Sequence, residues 1–413
     1  MRLIYSLSIY LYTGLIRVFA FMDPKAKKFT EGRKNLFQQI KQKVNPKEQP
    51  IWFHFASLGE FEQGRAVLQE LKKHYPQKKI LITFFSPSGY EIRKDTDLAD
   101  YVFYLPMDTA PNARYFLDLI NPAFAIFTKY EYWFHFFNEL EKRKIPLLMI
   151  SAIYRPNQLF FKPWGFFFRN ILKKVHYFFV QNEESLVLLK NIGLKNVSLA
   201  GDTRFDRVNE LSLQKTKVPY VADFLNGKSC LVAGSTWPSD EKLLAELINK
   251  KAELKLILAP HEVYPNHIKE LQQLFENSTT YSALKEGKGN LNANVLIVDG
   301  IGLLSYLYPY GQFAYIGGGF GAGIHNTLEA ATYGRPVIFG PKYENFQEAK
   351  DLLNTKAGFS VSSAAELHAI FEYLNNHPDE LRKASENARN YVQGKSGATA
   401  VIVQYIREKF LEA

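Results

Sequence analysis

At 413 residues the chain is longer than one ordinary domain, and a prior of about 100 to 200 residues per domain favours two. Its 46% apolar and 22% charged residues, with 33 Phe, 24 Tyr and 4 Trp, exclude a chain dominated by disorder, and its single cysteine, Cys230, excludes an intramolecular disulfide framework. Basic residues number 51 against 41 acidic, a balance of +10 that suits an anionic partner without choosing among nucleic acid, anionic lipid and a phosphorylated metabolite.

Residues 3–22, LIYSLSIYLYTGLIRVFAFM, are interrupted by one charge, Arg17, and lead into Lys25, Lys27, Lys28, Arg33 and Lys34. No small-x-small cleavage site follows, so a removed signal peptide does not fit. We expect residues 1–28 to form a membrane anchor, spanning or lying in the interface; a buried first helix is the competing reading. Charge after the segment exceeds charge before it, which keeps the remainder on the cytoplasmic side. A second stretch, Leu159 to Arg169, interleaves aromatics with cations and reads equally as an interfacial segment or as core.

From residue 51 short β-type runs alternate with helical patterns. Strands are predicted at 51–56, 80–85, 101–105, 123–128, 146–151, 177–181 and 197–200, then, after a polar linker near 207–228, at 230–234, 255–259, 295–298, 313–317 and 336–339. Such alternation predicts an α/β chain of two parallel-sheet, Rossmann-like domains facing a cleft, spanning 29–210 and 211–390. A terminal helix, 391–413, could pack back on the first. Open parallel sheets bind ligands beyond the carboxyl ends of their strands, so the loops there are where chemistry is expected.

Ser57-Leu58-Gly59-Glu60 follows the first strand. Ser-x-x-Glu is a capping box, yet a carboxylate at a helix start beside a cleft could also take a proton as general base. Gly317-Gly318-Gly319 follows a later strand and precedes His325-Asn326-Thr327-Leu328-Glu329; glycines admit close backbone approach to a ligand, and a helix start favours phosphate. Asn326 and Glu329 form a second possible capping box, or Glu329 could accept from ribose hydroxyls. Gly234-Ser235-Thr236-Trp237 and the run from Phe339 to Phe346, with a helix starting near Asn345, complete four loops that together suit a nucleotide. His54, His135, His261, His267 and His325 lack zinc-type spacing, and neither a P-loop nor a Gly-x-Ser-x-Gly elbow occurs.

As an ordered set these segments resemble the Kdo transferase family, which moves 3-deoxy-D-manno-octulosonic acid (Kdo) from its cytidine monophosphate ester (CMP-Kdo) to lipid A precursor. The matching segments run from His54 to Glu60, Tyr104 to Asp108, Tyr130 to Trp133, Gly201 to Asp206 and Ala233 to Thr236. They continue with Ala259-Pro260-His261, Ile316 to Gly319, His325 to Glu329, and Gly340-Pro341 with Asn345-Phe346. The resemblance implies a GT-B, inverting, metal-independent and cofactor-free glycosyltransferase at the cytoplasmic face of the inner membrane. It implies Glu60 as catalytic base, Glu131 and Arg204 as acceptor-side or activity-linked, and Ser235, Thr236, His261, Gly317, Gly318, Gly319, His325, Asn326, Glu329 and Asn345 on the donor side. Departures are Lys129 in place of an acidic neighbour of Glu131, His261 for an Arg with Glu262-Val263-Tyr264 after it, Gly302-Leu303-Leu304 for a Gly-Glu-Leu turn, and Ser151 and Ile153 for Asn and Arg. A GT-B transferase or epimerase using a uridine-diphosphate sugar is the alternative. A non-enzymatic basic membrane-surface or RNA-binding protein is the remote one; no nucleic-acid motif supports it.

Overall fold

The computed structural model describes residues 1–214, 216–251 and 253–412. The chain divides into two units, Met1–Arg207 with Ser396–Ala413, and Val208–Lys395. The change of unit falls inside a helix, Thr203–Leu213, where a polar linker was expected (Lys215, within that stretch, lies outside the described residues). Phe205 and Val208 are buried on this helix, and that apolar pair outweighs the polar neighbours from which the linker was inferred.

In the first unit β1 (Ile51–Phe55), β2 (Ile80–Phe84), β3 (Tyr101–Tyr104), β4 (Phe124–Thr128), β5 (Leu147–Ala152), β6 (Tyr177–Val180) and β7 (Val197–Leu199) form one parallel sheet, ordered β3-β2-β1-β4-β5-β6-β7. All five residues of β1 are buried, because helices cover both faces of a parallel sheet. Trp52 is enclosed by the rings of Phe116, Phe127 and Phe136 on one face. On the other, Phe53 joins a cluster with Ile402 and Ile406 of the carboxyl-terminal helix Ala398–Ile406. Asp206 fixes the start of that helix by accepting from the N–H and hydroxyl of Thr399, at 2.7 and 2.8 Å.

The second unit repeats the plan with β8 (Cys230–Thr236), β9 (Lys255–Pro260), β10 (Ser278–Thr280), β11 (Val295–Ile297), β12 (Phe313–Ile316), β13 (Val337–Phe339) and β14 (Gly358–Ser360), ordered β10-β11-β9-β8-β12-β13-β14. Here β10 and β14 were not expected from the sequence. Both are three-residue edge strands, Ser-Thr-Thr and Gly-Phe-Ser, too short and too polar to carry a periodic signal.

Three helices precede β1: α1 (Arg2–Phe19), α2 (Pro24–Glu31) and α3 (Leu36–Lys43). No helix among the described residues is long and apolar enough to cross a membrane. Nor is α1 a buried helix, since Ile9 is its one buried residue. One stripe, Tyr5, Ile9 and Ile16, packs with Phe29, Met107, Phe85 and Trp133. The rest of its surface is apolar and exposed, with Leu3 at 84% and Leu7 at 69%. The 159–169 stretch divides between its two readings: Phe160 is buried, Phe167 packs on Tyr5 and Phe134, and Trp164 and Phe166 stand exposed.

Candidate active site

In each sheet the strand order reverses at one point, between β1 and β4 in the first and between β8 and β12 in the second. The helices that follow the two strands leave on opposite faces there, opening a crevice at the carboxyl ends. The loops at these two switch points are those that carry Glu60, Glu131, Ser235, Thr236 and the glycine run.

Ser57 caps the helix α4 (Leu58–His74), its hydroxyl oxygen accepting from the Gly59 N–H at 3.2 Å. Glu60 does not reach back to complete a capping box; its carboxylate accepts from the Ser57 hydroxyl instead. The side chain is half-buried, and no cation lies within ion-pair distance of it among the described residues. Tyr130, after β4, feels the charges of Arg155, Glu60, Arg204 and Asp202, so the loops after β1, β4, β5 and β7 converge around one phenol, whose pKa burial raises. Arg204 is held by Asp202, 2.9 Å from Nε.

Glu131 is fixed from two sides. Trp133 Nε1 donates to Oε2 at 2.8 Å, and His54 Nε2 lies 3.3 Å from the same oxygen. His54 is fully buried, and its Nδ1 is 2.9 Å from Thr83 Oγ1, which also accepts from Trp52 Nε1 at 2.8 Å. One arrangement of protons satisfies every member of a neutral chain: Trp52 donates to Thr83, Thr83 to His54 Nδ1, and His54 Nε2–H to Glu131. Glu131 is thus a positioned carboxylate at 16% exposure, whereas Glu60 is held only by its neighbouring serine.

Lys129, Ser151 and Ser235 adopt left-handed φ values of 68°, 48° and 53° at the ends of β4, β5 and β8. Strand pairing shifts register at Ser151 and again between Gly234 and Thr236. A bulge at a strand end re-aims the side chains that follow it, at a backbone cost of about 1–3 kcal/mol per residue in such a conformation.

In the second unit the glycine run is crowded by neighbouring backbone. A Cβ on Gly317 would stand 2.3 Å from the Ser235 carbonyl oxygen, and one on Gly319 would stand 2.6 Å from the Gly340 backbone. These glycines therefore admit neighbouring backbone rather than a ligand. The Gly318 N–H donates to buried Asp240 at 2.9 Å, and Asp240 also accepts from the Trp237 N–H and the Tyr315 hydroxyl. Thr236 is buried too, donating to Glu241, whose other oxygen meets His267 at 3.0 Å. Asn326 makes a turn, its Oδ1 accepting from Leu328 N–H and its Nδ2 donating to Glu329, so the second capping box is absent. Asn345 is exposed in a turn, and the helix after it begins at Gln347.

What remains open to a ligand is a ring stack. Trp237, His261 and His325 lie nearly parallel, with centroids 4.7 Å apart for the first pair and 4.5 Å for the second. Trp237 Nε1 donates to His325 Nε2 at 3.0 Å, which leaves the His325 proton on Nδ1. Burial, then His261, hold the His325 pKa below its ordinary value, so the ring stays neutral near pH 7. Trp237 was in view in the sequence but carried no motif to single it out. Among the described residues no group of three or more His, Cys, Asp or Glu side chains could hold a metal ion.

Two parallel sheets with ligand loops at both switch points define a GT-B-like protein. The fold agrees with that of UDP-GlcNAc 2-epimerase from Neisseria meningitidis, at a TM-score of 0.62 and 20% identity over 87% of this chain and 100% of that one. Residues 31–207 match the family described as 3-Deoxy-D-manno-octulosonic-acid transferase (kdotransferase). The 3-deoxy-D-manno-octulosonic acid transferase of Rickettsia bellii is 28% identical over 87% of this chain and 88% of its own length. That of Aquifex aeolicus is 29% identical over 82% and 89%. The chain is similar to these transferases over most of its length and is a glycosyltransferase.

Proposed function

We propose that the chain transfers Kdo from CMP-Kdo to a lipid A precursor with inversion at the anomeric carbon, using Glu60 as general base and neither metal nor cofactor. The name shared by its relatives supports the sugar. One observation carries the base: Glu60 stands at a switch point with no cation within ion-pair distance among the described residues, its carboxylate engaged by the Ser57 hydroxyl. An acceptor hydroxyl attacks the anomeric carbon and loses its proton to Glu60. The bond to the phosphate oxygen breaks, and its electron pair leaves with cytidine monophosphate.

Glu131 and Arg204 serve the acceptor side. On the donor side we place the ring stack with His261 and His325, the Ser235 turn, Asn326, Glu329 and Asn345. Thr236, Gly317, Gly318 and Gly319 hold these loops in place, since their groups are spent on neighbouring protein. The exposed apolar surface of α1, with Trp164 and Phe166, supports attachment in the interface at the cytoplasmic face of the inner membrane. Trp164→Ser with Phe166→Ser should weaken liposome binding; Phe167 is unsuitable because it packs inward.

The test of the reaction follows acceptor mass when purified protein meets a Kdo-generating system, cytidine triphosphate and lipid A precursor. Kdo-sized gains abolished in Glu60→Gln support the proposal. No gain from the folded, membrane-presented enzyme rejects it, and protection by uridine diphosphate would redirect it to that class of donor.

A further inference from the structure

Beneath α1 lies a cavity of about 760 Å³ that the transfer reaction does not use. It is bounded by α1, α2 with the turn after it, and Met107 in the loop after β3. Ile16, Phe21, Phe29 and Met107 give it apolar walls. Arg17, Lys27, Arg33 and Lys34 also line it, against one carboxylate, Glu31. Among the described residues none of these four cations has a carboxylate within 4.0 Å.

Arg33 is the telling member. Its Nε donates to Leu105 O at 2.9 Å, and its terminal nitrogens donate to Phe29 O and Phe85 O at 2.9 and 2.8 Å. Its guanidinium lies 3.7 Å from the Phe29 ring centroid and 4.8 Å from that of Tyr104. Carbonyls and rings orient the group but leave its charge uncompensated, and burial lowers its pKa to about 9. An arginine so placed favours an anion nearby.

Apolar walls with a cationic rim exclude a free inorganic anion, which gains nothing from the walls, and a neutral lipid, which gains nothing from the rim. The volume suits one chain and one headgroup rather than a whole multi-chain glycolipid. The geometry points to a binding site for one anionic phospholipid of the bilayer, one of its two acyl chains against Ile16, Phe21 and Met107 and its phosphate among Arg17, Lys27, Arg33 and Lys34. This rests on the interfacial attachment proposed above and on nothing in the transfer chemistry. The bound lipid joins α1 to α2 and to the loop after β3, so it acts as part of the unit's packing at the membrane.

The full chain in a neutral detergent is titrated with dihexanoyl phosphatidylglycerol, dihexanoyl phosphatidylcholine and inorganic phosphate, by calorimetry, without donor or acceptor. Expected is saturable one-to-one binding of phosphatidylglycerol, at least about tenfold weaker for phosphatidylcholine, and none for phosphate. Lys27→Gln with Lys34→Gln should weaken it about tenfold or more, these being exposed cations whose loss spares the fold. Ala20→Trp keeps every charge but fills the cavity, and should abolish it. Equal binding of the two lipids, phosphate binding, or retention of affinity in Ala20→Trp overturns the site. So does displacement of phosphatidylglycerol by lipid A precursor in a separate competition titration without donor, which would make the cavity part of the acceptor's own site. Failure of transfer leaves these readings untouched, because no reaction is run.

Discussion

The hydroxyl of Tyr5 lies 2.5 Å from Asp108 Oδ2, joining α1 to the loop after β3 across 103 residues of sequence. The same carboxylate accepts from the N–H groups of His135 and Phe136, at 3.0 and 2.9 Å, in the first turn of the helix Phe134–Lys142. That helix begins three residues after Glu131, so one buried aspartate holds both α1 and the loop that carries Glu131. Tyr5→Phe removes the hydroxyl while keeping the ring contacts with Phe134 and Phe167. We expect a loss of about 1–3 kcal/mol at this attachment, seen as faster proteolysis and amide exchange within residues 2–19 while β1 to β7 stay protected. Uniform loosening of the whole unit would contradict it.

Asp108 also sets a pH dependence of unusual sign. Burial pushes its carboxyl up to about 6, against hydrogen bonds from Tyr5, His135 and Phe136 that favour the ionised form. In the unfolded chain an aspartate titrates near pH 3.9, so between about 4 and 6 the folded state holds the extra proton. Stability from this group is therefore greatest below pH ~4, falls as pH rises to ~6, and is flat above, a change of about 2–3 kcal/mol. Other carboxylates act in the opposite sense, so the quantity to measure is the difference in unfolding free energy between wild type and Asp108→Asn. Relative to wild type, Asp108→Asn should gain that amount between pH 4 and 6.5. A difference constant with pH would show that Asp108 is ionised throughout.

Much of this architecture was legible because central parallel strands are continuous apolar runs: Ile51 to Phe55 and Phe124 to Thr128 are unmistakable, and Ser57 caps its helix as its pattern suggests, though Glu60 does not complete the box. The edge strands β10 and β14 were not, since three residues at a sheet border need neither apolar nor β-branched side chains. Nor was Asp108, which sits in a segment quoted only for its likeness to the family; its meaning depends on Tyr5, a partner no local pattern reveals. The Gly317 to Gly319 run was visible but the close backbone approach behind Gly317 and Gly319 was not, because sequence cannot tell whether a glycine makes room for ligand or for backbone.

That distinction is measurable at Gly317. An added Cβ meets the Ser235 carbonyl oxygen at 2.3 Å and the Thr236 Cα at 2.5 Å, both backbone atoms that cannot rotate away. Gly317→Ala should cost about 3 kcal/mol, above the middle of the usual range for overpacking because β8 and β12 must separate. Thermal unfolding of the purified variant checks this. If the glycine served close ligand approach alone, melting would be unchanged and only nucleotide affinity would fall.

Thr83→Val probes the buried chain behind Glu131. The change keeps shape but removes the oxygen that accepts from Trp52 Nε1 and meets His54 Nδ1, leaving two buried polar groups unpaired. At about 1–3 kcal/mol for each orphaned group, a loss of roughly 2–6 kcal/mol is expected by denaturant titration. The catalytic consequence is separable from that loss. Without Thr83 the His54 proton is free to sit on Nδ1, which would set a bare Nε2 against the Glu131 carboxylate 3.3 Å away and push it from its place. If Glu131 serves the acceptor side as proposed, KM for the lipid acceptor should rise about tenfold while KM for the donor holds. Thr83→Ser, which restores the hydroxyl, should recover it. A rise in both KM values, or no recovery with serine, would mean that Thr83 supports the fold without orienting Glu131.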